Sequence, residues 1–246
     1  MLDTAVERVH VVLAVVGCLL LAGCAGFGGT EGGTETESPS VNATALAANT
    51  DAVETYSVEI TRTLQSTGAN QTVEVDGAVD RENEAARLVQ TTETAFRDEP
   101  RRTEQYVHEG TLYTSSDGEW EQSELEDWTT VDHLASAIPG PLASDDLEPI
   151  RTETVAGTET TMYEANITRG QAADLAGVDG TGHVPMTIED YVYYVLVDDE
   201  TDTLYGADLR LEVSQGGDPA FVTIETTITD RDGPVDVELP EEATAD

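Results

Sequence analysis

Over most of its length after residue 50, the chain alternates polar and apolar side chains with a period of two. Tyr56, Val58 and Ile60, for example, alternate with polar residues. Successive side chains of a β-strand point to opposite faces of a sheet, so this pattern gives each strand one buried face and one solvated face. Such unlike faces are typical of antiparallel sheets. The alternation therefore predicts a mainly β domain built on an antiparallel sheet.

Individual runs indicate how the sheet is assembled. The runs 56–64 and 73–79 flank the turn-forming sequence STGANQ (66–71), which predicts a hairpin. The segment Ile188–Val197 is apolar on both faces, which predicts a strand that lies centrally and is covered on both sides. Further alternating runs lie at 163–167, 209–213, 222–228 and 235–239. Together with shorter runs, these predict about nine to eleven strands, most of them joined by short turns.

Three helices are predicted between the strands. One lies near Ala43–Val53. A second runs from Glu124 to about Ile138, with apolar residues at helical spacing and a capping box formed by Ser123 and Glu126.

The third predicted helix, Arg169–Ala176, has signals at both ends. Thr168 and Gln171 form a capping box, and Gly177 provides a C-terminal stop. The resulting order is a helix, several strands, a helix, two strands, a short helix and about four strands. This order predicts an α+β fold in which one large curved antiparallel sheet, a half-barrel, has two or three helices in its concave side.

The start of the chain predicts export and lipid attachment. Val11–Ala22 is an apolar run of about a dozen residues, the length of a signal h-region and too short to span a bilayer. It ends in Leu21-Ala22-Gly23-Cys24, which resembles the lipobox of bacterial and archaeal lipoproteins. We therefore expect residues 1–23 to be a signal peptide and Cys24 to carry the lipid. The preceding n-region is only weakly charged, so an uncleaved anchor or an ordinary signal are the alternatives.

The segment after the lipobox has the composition of a tether. Residues 24–41 are rich in Gly, Thr, Glu and Ser and predict a flexible linker. The remainder, 42–246, predicts a single domain. Lipoproteins of this type carry a two-chain lipid, so the resemblance implies stable attachment to the outer face of the cell membrane.

The net charge of the chain is −39, with 50 Asp and Glu against 11 Arg and no Lys. Such self-repulsion destabilises a compact fold in dilute salt, whereas in molar salt the Debye length falls to about 3 Å. The acids are spread along the chain, which is typical of a halophilic surface. Nucleic acid is excluded as a partner, because phosphate binding needs clustered cations.

The sequence offers no catalytic or metal constellation. Cys18 lies in the signal and Cys24 takes the lipid, so the mature domain would have no thiol for a disulfide, metal or nucleophile. Of the four histidines, His10 lies in the signal, and His108, His133 and His183 are too far apart to form a metal-spaced pair. We therefore expect no cofactor, no metal and no enzymatic activity.

One acidic segment, Asp198–Asp202, allows two interpretations. Its oxygens suit a hard cation, but it lacks the Gly and the distal Glu of a calcium-binding loop. An acidic hairpin turn is the favoured interpretation.

Short segments carry a family resemblance. They are Gly110–Tyr113, Gly118–Trp120, Tyr193–Asp198 and Thr201–Leu204. The lipobox, the linker and a strand-rich domain that opens near Tyr56-Ser57-Val58 are similar to haloarchaeal lipoproteins. The short segments resemble the LolA and LprG type of lipoprotein carrier. That resemblance implies a half-open β-barrel whose concavity, lidded by helices, holds acyl chains.

Three residues are candidates for contact with such a ligand: Trp128, Leu134 and Tyr193. A plain core role is the alternative for these apolar side chains. A lipid or apolar small-molecule carrier on the membrane is the leading hypothesis. The other is a cell-surface interaction or scaffold module with no cavity and an unknown protein partner.

Three sequons predict glycosylation sites, usable once the chain is exported. Their acceptors are Asn42, Asn70 and Asn166.

Overall fold

The computed structural model describes residues 41–116, 118–137, 147–177, 186–215 and 218–244. The helices are α1 (Ala43–Asp51), α2 (His133–Ala137) and α3 (Arg169–Ala176), with 3-10 turns at Trp128–Thr130 and Glu241–Thr244. The strands are β1 (Thr55–Ser66), β2 (Ala69–Asp80), β3 (Ala85–Thr94), β4 (Arg101–His108), β5 (Thr111–Ser116), β6 (Glu119–Glu124), β7 (Leu147–Val155), β8 (Thr158–Ala165), β9 (Met186–Asp198), β10 (Thr203–Gln215) and β11 (Asp218–Thr229). Within these residues, no helix has the length and apolar character needed to cross a bilayer.

The strands form one open, antiparallel, 11-stranded sheet in the order β6-β5-β4-β3-β2-β1-β11-β10-β9-β8-β7. Each half of the chain is a meander of sequential strands, and the two meanders meet where β1 pairs with β11. The predicted mainly β, antiparallel architecture is thus confirmed. Its open edges, β6 and β7, fit a half-barrel rather than a closed one.

The register places the apolar residues of neighbouring strands on one face. Val58 pairs with Ile228 on β11, and Tyr56 pairs with Val79 on β2. All four side chains are buried. The first predicted hairpin is therefore confirmed, because its two alternating runs pair face to face.

Two helices also lie where the sequence predicts them. Asn42 caps α1, and its side chain accepts a hydrogen bond from the Ala45 amide. At α3, Thr168 and Gln171 form the predicted capping box, and Gly177 ends the helix with φ of 61°. Glycine suits this position because the left-handed conformation carries no β-carbon penalty.

The prediction of one continuous helix from Glu124 to Ile138 is wrong, because the described part of this segment begins in β6 and contains two short helical pieces. Ser123 and Glu124 belong to β6 and pair with Leu112 and Thr111 on β5. Pairing with β5 satisfies the backbone of this segment and overrides its local helical pattern. Only the 3-10 turn and the five-residue α2 are helical in the described part, while Ile138 lies outside it.

Two strand predictions also need correction. The run 235–239 is not a strand; β1 and β10 already occupy both edges of β11, so no neighbouring edge is free for it. Ile188–Val197 is in β9, but β9 is third from the β7 edge rather than central. Val195, Leu196 and Val197 are all buried, which confirms that both faces are covered at this end of the strand.

Candidate ligand-binding cavity

A cavity of about 630 Å³ is bounded by one face of the sheet and by residues of the helical segments 129–135 and 171–177. This volume lies within the ~300–1,000 Å³ typical of small-molecule sites. The strands contribute the side of the cavity that we call the floor, and the helical segments contribute the side that we call the cover.

The floor consists of side chains brought into line by the strand register. One row joins Val75, Ile60, Thr226 and Ala207 across β2, β1, β11 and β10. The next row joins Val73, Arg62, Ile224, Leu209 and Tyr193 across β2, β1, β11, β10 and β9. Because alternate residues of a strand share a face, each strand supplies members two positions apart.

The cover comes from the segment before and within α2 and from α3. Its lining residues are Thr129, Thr130, His133, Ala135, Gln171, Asp174, Leu175, Ala176 and Gly177. In α3, the buried Ala172 and Ala176 are part of the hydrophobic core cluster. Small residues at these positions let the helix pack closely, while Leu175 faces the cavity.

Arg62 is the one cation among the lining side chains named above. It is half-buried, and within the described residues its guanidinium has no hydrogen bond or ion pair. A β-carbon built on Gly177 would lie 3.8 Å from Arg62 Nη1, so the guanidinium lies close to the C-terminal end of α3. Burial lowers the pKa of the Arg62 guanidinium, because a low-dielectric surrounding disfavours its charge.

A polar network, the Asp132 network, holds the cover at its α2 end. The buried Asp132 carboxylate accepts hydrogen bonds from the Tyr56 hydroxyl (3.0 Å), Arg81 Nε (2.8 Å) and the Ala135 amide (3.1 Å). The Leu134 amide donates to the Tyr56 hydroxyl at 3.3 Å. The network therefore joins α2 to strand β1 and to Arg81, the residue that follows β2.

Arg81 extends this network to α1. Its Nη1 donates to the backbone oxygens of Thr50 and Val53 at 3.0 and 2.9 Å, and to that of Asp51 at 3.1 Å. Burial raises the pKa of the Tyr56 hydroxyl, and the neighbouring Asp132 carboxylate raises it further. Tyr56 therefore stays protonated and acts as a donor.

The three candidate contact residues lie in different places. Tyr193 lines the cavity. Leu134 is fully buried in the hydrophobic core, and Trp128 is half-buried and packs against that core. Neither residue lines the cavity. Contact of any of the three with a ligand stays a prediction.

Sequence reasoning missed Arg62 and the Asp132 network. The sequence pattern could have identified Arg62, because it occupies an inward position of β1, between Ile60 and Leu64 in the alternation. Asp132 and Arg81 are 51 residues apart, and no sequence pattern indicates that they pair.

The acidic segment is the turn between β9 and β10, as the favoured interpretation had it. Asp199 accepts hydrogen bonds from the hydroxyls of Thr161 (2.6 Å) and Tyr163 (2.7 Å), and Asp202 accepts one from the Asn42 amide (2.9 Å). Within the described residues, no three His, Cys, Asp or Glu side chains are grouped so that they could hold a metal ion.

The remaining sequence candidates are not part of the cavity. The sequon residues Asn42, Asn70 and Asn166 are all exposed, and glycosylation there stays a prediction. Cys24 and His183 lie outside the described residues, and His108 is exposed at the end of β4.

Among known proteins, the chain has matches in solved structures. No family model matches the chain, and no curated protein matches it. The chain is similar to the solved structure of the Mycobacterium tuberculosis lipoprotein LppX, with a TM-score of 0.50 and 14% identity over 79% of this chain and 95% of that one. It also matches LprF of Mycobacterium bovis, with a TM-score of 0.49 and 14% identity over 82% of this chain and 99% of that one. At this identity, the likeness to LppX shows a shared fold.

Proposed function

We propose that this protein is a lipid-anchored, extracytoplasmic carrier that holds a lipid or another apolar ligand in the cavity between floor and cover. The observation that carries the proposal is the cavity of about 630 Å³ with an apolar floor. Binding apolar surface there removes it from water, at about 25 cal/mol per Å². The proposal includes no catalytic step, cofactor or metal.

The apolar character of the floor supports a hydrophobic ligand. Val73, Val75, Ile60, Ile224 and Leu209 are aliphatic residues from four neighbouring strands. Such a continuous apolar surface inside a domain is normally packed by other side chains. Here the apolar floor borders an unfilled cavity instead. The fold shared with the lipoprotein LppX further supports the proposal.

The anchor part of the proposal rests on the sequence that ends at Cys24 and on the linker after it. We propose that the carrier works on the outer face of the cell membrane, within reach of membrane lipids. Mass spectrometry of the N-terminal peptide tests this. A lipidated peptide beginning at Cys24 is the expected result, whereas an unmodified peptide that begins before residue 24 would contradict it.

The carrier function is tested with two substitutions on β11. Thr226 lines the cavity, whereas Thr223, three positions away on the same strand, faces the opposite side. Both are half-buried, so Thr226→Phe and Thr223→Phe add the same volume at matched positions. Only Thr226→Phe fills the cavity.

Full-length protein is isolated from membranes in molar salt and extracted with organic solvent, and the released lipids are quantified by mass spectrometry. The covalent anchor stays with the protein, so the extract reports only bound ligand. We expect lipid from the wild type and from Thr223→Phe, and little from Thr226→Phe. Equal amounts from all three proteins, or none from the wild type, would refute the carrier function. In the second case, a single protein recovered by crosslinking in cells would point to the interaction module.

A further inference from the structure

A charged residue lies in the cavity floor where the strand pattern predicts an apolar one. Val58, Ile60 and Leu64 belong to the core side of β1, and Arg62 shares their face. Its register partners on the two neighbouring strands, Val73 and Ile224, are apolar. A cation is costly in such a place unless it has a partner.

The other arginines in comparable surroundings do have partners. Among the described residues, Arg81, Arg87 and Arg231 are also half-buried. Arg81 binds Asp132, the Arg87 Nε donates to the Tyr106 hydroxyl at 2.9 Å, and the Arg231 guanidinium lies 3.9 Å from the centre of the Tyr205 ring. Arg62 alone of these four has no hydrogen bond, ion pair or ring contact within the described part of the chain.

The titratable and charged groups around Arg62 do not neutralise its charge. The other titratable residues that line the cavity are His133, Asp174 and Tyr193. Asp174 is exposed to solvent and makes no ion pair with Arg62. The C-terminal end of α3, at Gly177, supplies only the partial negative charge of a helix terminus. An arginine guanidinium stays charged at neutral pH. Because neither Asp174 nor the end of α3 pairs with it, the hydrogen-bond donors of Arg62 are available to a ligand.

We propose that Arg62 binds the anionic group of an amphiphilic ligand, a phosphate or a carboxylate, whose apolar chain occupies the rest of the cavity. The inference rests on the proposed carrier function, because it requires a ligand in this cavity. A guanidinium matches the two oxygens of either anion with two parallel N–H donors. The aliphatic floor around Arg62 would then contact the chain of the same molecule.

The test is a competition between two ligands with the same chain. Full-length protein in a non-ionic detergent and molar salt is incubated with equimolar dodecyl phosphate and dodecanol, captured, washed and extracted, and both ligands are quantified. We expect the wild type to retain dodecyl phosphate over dodecanol by about 10-fold, because a charge-assisted pair at a half-buried site contributes about that factor. Arg62→Gln should remove this preference without reducing the bound dodecanol.

Two control variants separate recognition from charge and from structure. Arg101→Gln removes the same charge from an exposed position and should keep the preference of the wild type. Arg62→Lys keeps the charge but loses the two parallel N–H donors of the guanidinium, so it should keep part of the preference for dodecyl phosphate. If Arg62 only stabilises the end of α3, Arg62→Gln will lower the melting temperature and leave the ligand ratio unchanged, which would overturn the inference.

A third arm separates an amphiphile from a free anion. A hundredfold excess of inorganic phosphate should leave dodecyl phosphate bound, because the alkyl chain of the ligand supplies most of the affinity. Displacement of dodecyl phosphate by inorganic phosphate would overturn the proposal that the ligand is an amphiphile. Equal retention of dodecyl phosphate and dodecanol, unaffected by Arg62→Gln, would refute only the role of Arg62. Retention of neither ligand by the wild type would refute the carrier function itself.

Discussion

Arg62 and Arg81 are both half-buried on the side of the sheet that faces the helical segments, yet their surroundings are opposite. Arg81 donates to the Asp132 carboxylate and to three backbone oxygens. Arg62 has none of these partners within the described residues and borders a cavity. The interior between the sheet and the helical segments therefore has two regions with different roles. The Asp132 network fixes the cover to the sheet, and the Arg62 region keeps space in which a ligand can bind.

The largest expected effect concerns the acidic surface that surrounds both regions. With a net charge of −39, the chain should lose structure when it is dialysed from molar salt into dilute buffer, because charge repulsion is no longer screened. Circular dichroism measures the loss. Full retention of the spectrum in dilute buffer would contradict the halophilic interpretation.

The second effect compares the two arginines directly. Arg81→Met leaves the buried Asp132 carboxylate without its cation and should lower the free energy of unfolding by about 3 kcal/mol. Arg62→Met removes an unpaired cation and should change it by less than about 1 kcal/mol, in the direction of higher stability. Chemical unfolding of both variants in molar salt measures these changes. Equal losses would show that Arg62 is as structural as Arg81.

The third effect tests a neutral member of the Asp132 network. Tyr56→Phe removes the hydroxyl that donates to Asp132 and should lower the free energy of unfolding by about 1–2 kcal/mol. As a comparison, Tyr113→Phe removes the hydroxyl of a half-buried tyrosine that makes no hydrogen bond within the described residues, so it should have little effect. A similar loss in both variants would argue that the network adds no stability of its own.

The smallest effect involves His133, which follows Asp132 and lines the cavity. Burial lowers the pKa of His133, and the Asp132 carboxylate opposes this only in part. The unfolded chain therefore binds a proton more readily than the folded one near the ordinary pKa of about 6.5. Stability should fall as the pH is lowered from 7.5 to 5.5, and His133→Gln should reduce that slope. An unchanged slope would show that His133 does not contribute.

The sequence predicted the local features of the fold well. Alternation located the β1–β2 hairpin, and the capping residues Thr168 and Gln171 located α3, because each of these signals acts between residues close in the chain. The β1–β11 pairing and the Asp132 network depend on partners distant in sequence, and no local pattern specifies them. Residues 123 and 124 pair with nearby residues of β5, and there the capping-box and helical-spacing pattern competed with the strand and predicted the wrong element. Of the candidate site, Tyr193 was predicted and Arg62 was not, although its inward position in an apolar strand face was visible in the alternation.

An experimental structure of the full-length protein with dodecyl phosphate tests ligand binding in the cavity most directly. We expect ligand density between the floor at Ile60 and Ile224 and the cover at Leu175, with the phosphate within hydrogen-bond distance of the Arg62 guanidinium. An interior filled by protein side chains, or a ligand whose phosphate points away from Arg62 into solvent, would contradict this expectation.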